Sequence, residues 1–311
     1  MGLHVVVGSG AVGSATARLL RAEGHDVRMV SRSGRGPAEV ERIAADAADP
    51  ERLSVLARGA DALYNCANPA YHRWATDWPP LASALLVAAE RSGAVLVTTA
   101  NLYGYGPVDA PMTEQTPLAA TGVKGRVRNA MWRDALAAHE AGRARVTEAR
   151  ASDFYGPGPD DTSHLGRYFT PRLLAGKRPW VMQGDVDAPH SWTYVPDLAR
   201  TLVTLAGDER AWGRAWHVPT APPVSLRAVA AAMAQVAGLP APEVAVLPRW
   251  GLRAMGVAVP FARELQEVRH QFEKPFVLDS SAAQETFGLA PTPFADGIVA
   301  HVGFWTERAA A

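Results

Sequence analysis

The stretch that most constrains this chain is LHVVVGSGAVGSATARLL near its start, where a β-branched run breaks into glycines and then into a helical pattern. Leu3–Val7 is mostly valine and ends at a glycine, which predicts a buried strand. Ala11–Glu23 sets Val12, Ala15, Leu19 and Leu20 on one helical face, with Gly24 as the C-cap. Between them Gly8, Gly10 and Gly13 fall in the order G-x-G-x-x-G. Gly8 permits a tight turn off the strand, Gly10 lets backbone approach a pyrophosphate, and Gly13 lets helix pack closely on strand. The helix start then offers unpaired N–H groups and a positive dipole end. The residues Gly8, Ser9, Gly10, Ala11, Val12 and Gly13 are therefore expected to cradle a dinucleotide.

The end of the second strand, Val27–Ser31, bears on which dinucleotide. A site for NAD sets an acid about 20 residues past the glycines, where it accepts from the ribose 2′-hydroxyl. Here Ser31 stands at that point, followed by Arg32 and Ser33. A carboxylate would repel a 2′-phosphate, whereas a guanidinium pairs with it and a hydroxyl donates to it. NADP is the expected cofactor, with NAD the weaker expectation. The other reading of Arg32, a solvated arginine beside a site indifferent to the phosphate, stays open.

Strands and helices keep alternating through the first half. Ile43–Ala45 is a short third strand, Asp49 and Pro50 start a helix, and Ala62–Cys66 and Ala94–Thr99 flank a helix at Leu81–Arg91. Lys124–Ala141 reads as a helix leading to a strand at Arg145–Ala151. That order predicts an α/β fold, a doubly wound parallel sheet of Rossmann type. After Tyr155 the run GPGPDD breaks the pattern, and proline and tryptophan become more frequent. The expected division is a dinucleotide-binding domain at 1–157, with a segment near 193–218 returning to it, and a smaller C-terminal substrate domain over 158–311.

Composition narrows the partners. The 31 basic side chains balance 31 acidic ones, so no excess positive field remains to hold a nucleic-acid backbone. The single cysteine, Cys66, rules out an internal disulfide and a multi-cysteine metal site. Asp185, Asp187 and His190 in GDVDAPH are too loosely spaced for a metal expectation. The opening run has no basic leader, and no apolar stretch is long enough to span a bilayer, which gives the expectation of a cytoplasmic protein without a membrane partner.

Five further segments, in order, carry a resemblance. They are AADAADPERLSVLARGADALYNCA; LVTTANLYGYGPV with PMTEQTPLAATGVKGRVR; RASDFYGPG; HSWTYVPDLARTLV; and FVLDSSAAQETFGLAPTPFADGI. Together with the glycine cradle they make the chain similar, over almost its whole length, to the extended, atypical short-chain dehydrogenase/reductases of the NAD-dependent epimerase/dehydratase superfamily. The resemblance implies that Asp46 faces the adenine and Ala67 lines the cofactor. It implies a Ser/Thr hydroxyl at Thr99 that orients a substrate oxygen, and a Lys124 that holds ribose hydroxyls. A homodimer is also implied.

The chain departs from the family in two places. Val7 stands where the extended group sets its first glycine. The family's Y-x-x-x-K keeps its lysine, Lys124, but four residues earlier the chain has Ala120, and no tyrosine occurs between Tyr105 and Tyr155. The usual proton-transfer tyrosine is thus missing. A phenol ordinarily ionises near pH 10, and a neighbouring ammonium is what brings its proton into use. Tyr103, just beyond the fifth strand, is the candidate stand-in, with Tyr105 beside it; packing roles for both stay open.

On the substrate side, His72, Trp74 and Trp78 follow the fourth strand, where the cleft of such a sheet opens. Tyr155, His164, Tyr168 and Trp192 are expected to approach from the second domain. His72 and His164 are also alternative proton donors. Two functions follow. One is an NADP-dependent oxidoreductase or epimerase on a small carbonyl or hydroxyl substrate, such as a sugar nucleotide or secondary metabolite. The other is a non-catalytic redox sensor that binds NADP(H) and changes partner affinity.

Overall fold

The computed structural model describes residues 1–158, 163–248, 250–251 and 264–310. Its centre is a seven-stranded parallel sheet built from β1 (Leu3–Val7), β2 (Asp26–Ser31), β3 (Glu41–Ala44), β4 (Ala60–Asn65), β5 (Val95–Asn101), β6 (Val146–Ala151) and an edge strand, Arg214–His217. Reading across the sheet, the order is Arg214–His217, β6, β5, β4, β1, β2, β3. The chain reverses direction of travel between β1 and β4, so the cleft of this sheet lies at the carboxyl ends of those two strands.

Alternation within β1 explains the layering. Val6 joins one core, with Val12 and Leu20 of α1 (Ala11–Ala22), while Val5 and Val7 join the other. The second core is closed by α2 (Pro50–Leu56), α3 (Trp74–Ser92) and α4 (Val123–Glu140). The predicted elements agree with these bounds to within a few residues, except that α3 begins seven residues before Leu81. It runs through Pro79 and Pro80, giving up two backbone donors, because Trp74, Trp78, Leu81 and Leu85 recur on one face that the core buries.

Beyond β6, a two-stranded sheet pairs β7 (Asp153–Tyr155) with a later strand, Trp192–Tyr194. The last three residues of the predicted GPGPDD break lie outside the described residues. α5 (Thr170–Leu174) and the strand β8 (Trp180–Val181) precede β9, which is the Trp192–Tyr194 strand. α6 (Val195–Gly207) then packs on α1, and β10 (Arg214–His217) pairs with β6 to complete the main sheet. α7 (Leu226–Val236), β11 (Ala245–Val246), α8 (His270–Glu273), α9 (Ser281–Phe287) and α10 (Phe294–Ala310) follow. Tyr155, Phe169, Trp192, Val229, Met233 and Ile298 make a separate core there. No helix among the described residues is long and apolar enough to cross a membrane.

Candidate functional site

The β1–α1 turn has the geometry its glycines foretell. Gly8 has φ +106°, and a Cβ on it would come within 2.6 Å of the Cys66 carbonyl oxygen. A Cβ on Gly13 would lie 2.0 Å from the Gly8 carbonyl oxygen, so helix and turn touch through bare backbone. Gly10 is different. It is the N-cap of α1 with ordinary extended angles, and no atom of the described residues lies within 4 Å of where its Cβ would stand. No side chain caps α1 and no acid sits in its first turn. The helix start is thus a bare, positively polarised end facing open space, which fits a pyrophosphate. Across it, Gly158 approaches Ala11, where a Cβ on Gly158 would lie 3.0 Å from the Ala11 Cβ.

Along β2, the Ser31 hydroxyl donates to the Arg35 carbonyl at 3.1 Å. Arg32 and Ser33 are exposed, as is Asp46, whose carboxylate accepts from the Ala48 amide at 3.0 Å. Ala67, at the end of β4, is half-buried and its amide donates to Asn65 at 3.3 Å.

The opposite end of the cleft is assembled from distant segments. Lys124 is only 1% exposed, and its ammonium donates to Glu264 at 2.5 Å and to Glu267 at 3.2 Å. The other Glu267 oxygen accepts from the Lys124 backbone amide at 2.7 Å, so a carboxylate 143 residues away caps the start of α4. Gly122 makes that approach feasible, since a Cβ there would collide with Glu267 at 2.3 Å.

Two phenols meet beside this lysine. The Tyr71 hydroxyl, from the one-turn helix Tyr71–Arg73 after β4, donates to the Tyr103 hydroxyl at 2.7 Å. Tyr103 opens the one-turn helix Tyr103–Tyr105 after β5. The Lys124 ammonium lies 4.7 Å from the centroid of the Tyr71 ring. Burial raises both phenols above their ordinary range; Tyr103 and the carboxylates of Asp153 and Glu267 push Tyr71 the same way. At neutral pH both are therefore protonated. Beneath them Trp74 stacks on Tyr103 with centroids 5.8 Å apart, and the Arg128 guanidinium covers Trp74 and Trp78 at 4.8 and 4.3 Å. Burial draws Arg128 down to about 10, and its guanidinium donates to the Thr99 carbonyl at 3.3 Å.

The Thr99 hydroxyl faces Cys66, donating to Sγ at 3.7 Å, and burial pushes that thiol up to about 11. Ala120 is not one turn ahead of Lys124 on a shared helix, because α4 begins only at Val123. Its Cβ is pressed against Gly125, where a Cβ would lie 2.2 Å from it. Tyr105 belongs to another network, in which its hydroxyl meets His217 at 2.6 Å and accepts from Arg150 at 2.9 Å.

The aromatic residues expected to line the substrate cleft do not all converge. Trp74 and Trp78, a turn apart on the inner face of α3, are 2% and 0% exposed and serve as core. Tyr155 is packed against Phe294 and His301, and Trp192 is buried with its indole N–H on the Val224 carbonyl. His72 points to solvent, and Tyr168 is exposed beside Trp180. Of this set, His164 and Trp192 border one cavity, shared with Gln183, His190, Gln271 and Phe272. The His164 ring stacks on Phe272 at 4.0 Å, its Nε2 finds no partner among the described residues, and burial lowers it to about 4.

Sequence reasoning missed four acids and bases here: Asp153, His190 as its partner, Glu264 and Glu267. The His190 Nε2 lies 2.8 Å from Asp153. Burial alone would raise Asp153, but the His190 bond overrides it and holds the carboxyl below its usual range. Asp187 instead pairs with Arg227 at 2.6 Å. A signal for the clamp was present in the glycines at 122 and 125 that flank Lys124, each of which admits a close neighbour.

The sequence profile described as the NAD dependent epimerase/dehydratase family matches residues 4–218. No curated protein matches the chain. Among solved structures, the UDP-glucose 4-epimerase of Thermotoga maritima with UDP-glucose superposes with a TM-score of 0.81 at 18% identity, covering 99% of each chain. MoeE5 in complex with UDP-glucose and NAD gives 0.79 at 22% identity over 100% of both. A dTDP-glucose 4,6-dehydratase from Bacillus anthracis with NAD gives 0.79 at 15% identity, covering 99% of this chain and 97% of that one. At these identities the likeness is one of fold.

Proposed function

The chain belongs to the NAD-dependent epimerase/dehydratase family, and from that premise we propose that it is an NADP-dependent oxidoreductase or epimerase acting on a small carbonyl or hydroxyl substrate. The observation that carries this reading is the bare cradle of Gly8, Gly10 and Gly13 at an uncapped helix start. In it, the amides around Ser9, Ala11 and Val12 bind the pyrophosphate, Asp46 and Ala67 flank the adenosine half, and Ser31, Arg32 and Ser33 take the 2′-phosphate. Arg32 supports the last assignment by being exposed and by having no carboxylate beside it in the sequence. The neighbours solved with NAD weigh toward the unphosphorylated cofactor. Direct titration decides between them.

When bound, a nicotinamide supplies hydride donation or acceptance. The chain's own residues supply the rest. Lys124 holds ribose hydroxyls, Thr99 orients the substrate oxygen, and the Tyr103 phenol belongs to the proton-handling group. UDP-glucose in two of the neighbours supports a sugar nucleotide as one substrate class. His164 and Trp192, which line one cavity, are the remaining substrate-contact candidates from the second half.

The sensor reading has one observation in its favour: Lys124 is already held by two carboxylates. The test is separate titration with NADPH and NADH by nicotinamide fluorescence, followed by incubation with NADPH and a carbonyl panel that includes UDP-4-keto sugars. Tighter NADPH binding and oxidation of NADPH are expected. Tighter NADH binding overturns the NADP assignment, and binding without turnover favours the sensor.

A further inference from the structure

In the family pattern, phenol and ammonium sit four residues apart on one helix. Here that position, Ala120, precedes α4, and its Cβ is pressed against Gly125. Yet a phenol ring does lie against Lys124, at 4.7 Å, and it comes from another chain segment, the loop after β4. Its hydroxyl is held at 2.7 Å by a second phenol, Tyr103, from the loop after β5. A phenol ring and the lysine thus meet in space from separate segments.

We propose that Tyr71 is the proton-transfer phenol of this site, taking the place of the absent helix tyrosine, with Tyr103 as the positioning residue that holds its hydroxyl. The inference rests on the oxidoreductase reading above. The groups facing Tyr71 define its chemistry. Arg128 favours its phenolate, and the Lys124 ammonium lies over its ring face at 4.7 Å, held in turn by Glu264 and Glu267; Asp153 and Glu267 oppose the phenolate. Burial keeps it protonated at neutral pH, the form needed to give a proton to a carbonyl oxygen. As the substrate carbon accepts hydride from the reduced nicotinamide, the carbonyl π electrons move to oxygen, and that oxygen forms its O–H bond with the Tyr71 proton. The products are an alcohol, the oxidised nicotinamide and a Tyr71 phenolate. Tyr103 then turns its own hydroxyl to the phenolate, and solvent returns the proton. Run backwards, the same groups serve alcohol oxidation.

The test installs a difluorotyrosine at position 71, whose phenol ionises at lower pH, and follows it by fluorine NMR in the full chain. Lys124→Met is expected to raise the ionisation by about one pH unit or more and Glu267→Gln to lower it, since a close charge moves a neighbour by that order. An ionisation that neither substitution moves overturns the proposal; should Lys124→Met not fold, Glu267→Gln alone decides. In turnover with NADPH and small ketones, Tyr71→Phe is expected to lose about 100- to 10,000-fold in kcat while its NADPH affinity is unchanged. The kcat profile of the difluorotyrosine protein is expected to move with its phenol. A Tyr71→Phe protein with wild-type kcat, or a pH profile that ignores the fluorination, also overturns it. A wild type that binds NADPH but turns over nothing sinks the oxidoreductase reading instead, and the NMR titration still judges the Tyr71–Lys124 pairing.

Discussion

The two ends of the cleft are made in different ways. The phosphate cradle is one continuous turn, and its shape follows from three glycines within six residues. The Lys124 end joins Tyr71, Tyr103, Lys124 and the Glu264–Glu267 segment, which meet only because the sheet brings the ends of β4 and β5 beside the start of α4. A site built locally is fixed by backbone sterics, and its parts fail separately. A site assembled from afar is fixed by charge pairing and burial, and its parts fail together.

The strongest way to break that contrast lies in the cradle. Gly13→Ala sets a Cβ 2.0 Å from a backbone oxygen that has nowhere to go. It is expected to cost about 3 kcal/mol or more, at the upper end of overpacking effects. Gly10→Ala adds a Cβ to space clear of the described residues at ordinary angles and is expected to cost only about 0.5–1 kcal/mol, the loss of a glycine N-cap, yet to weaken nucleotide binding if the proposed pyrophosphate site lies there. Urea midpoints and nicotinamide fluorescence measure the two effects. If both substitutions cost the same stability, the cradle does not work through separable parts.

The second test addresses the assembled end. Lys124→Met leaves two carboxylates facing a thioether. Loss of one partner from a fully buried pair costs about 3–5 kcal/mol, but Glu264 and Glu267 keep 22% and 23% of their side-chain exposure, so a smaller loss is expected, about 2 kcal/mol. Adding Glu264→Gln and Glu267→Gln to Lys124→Met is expected to restore part of that loss. Additivity of the substitutions in a double-mutant cycle is the result that would count against a shared clamp.

The same contrast sets what the sequence could disclose. Leu3–Val7, the glycine turn and α1 were legible because period, cap and turn chemistry are all local. Lys124 was legible through the family pattern, but its partners were not. Glu264 and Glu267 look like any acids on a polar stretch, and nothing local says that one of them caps a helix 143 residues away. Trp74 and Trp78 were placed in the cleft because they follow the fourth strand, where it opens; the burial of an apolar face instead carried a helix through them and on through Pro79 and Pro80. Tyr71 stood one residue from the histidine that drew the eye, and only the fold turns it toward Lys124.

Acid offers the mildest test, because it probes what surrounds the cradle without a substitution in the cradle itself. His4, under the cradle on β1, and His301, on α10, are each lowered by burial to about 4. Their folded values lie below that of the unfolded chain, near 6.5, so the unfolded state takes up protons first as pH falls. Their stabilising effect is therefore complete above about pH 6.5 and declines as pH drops toward 4. His301 also accepts from the Gly156 amide at 3.0 Å and meets Thr170 at 2.9 Å, tying down the loop whose Gly158 lies over Ala11. His301→Gln is expected to flatten part of the acid limb in thermal melts and to speed hydrogen exchange at the Gly156 amide. His4→Gln should flatten the limb as well, but leave that amide slow, since its contacts are to His25 and Tyr64. Equal exchange at Gly156 in the two variants would mean that the loop over the cradle is held by something other than His301, and the cradle would then be less self-contained than its glycines suggest.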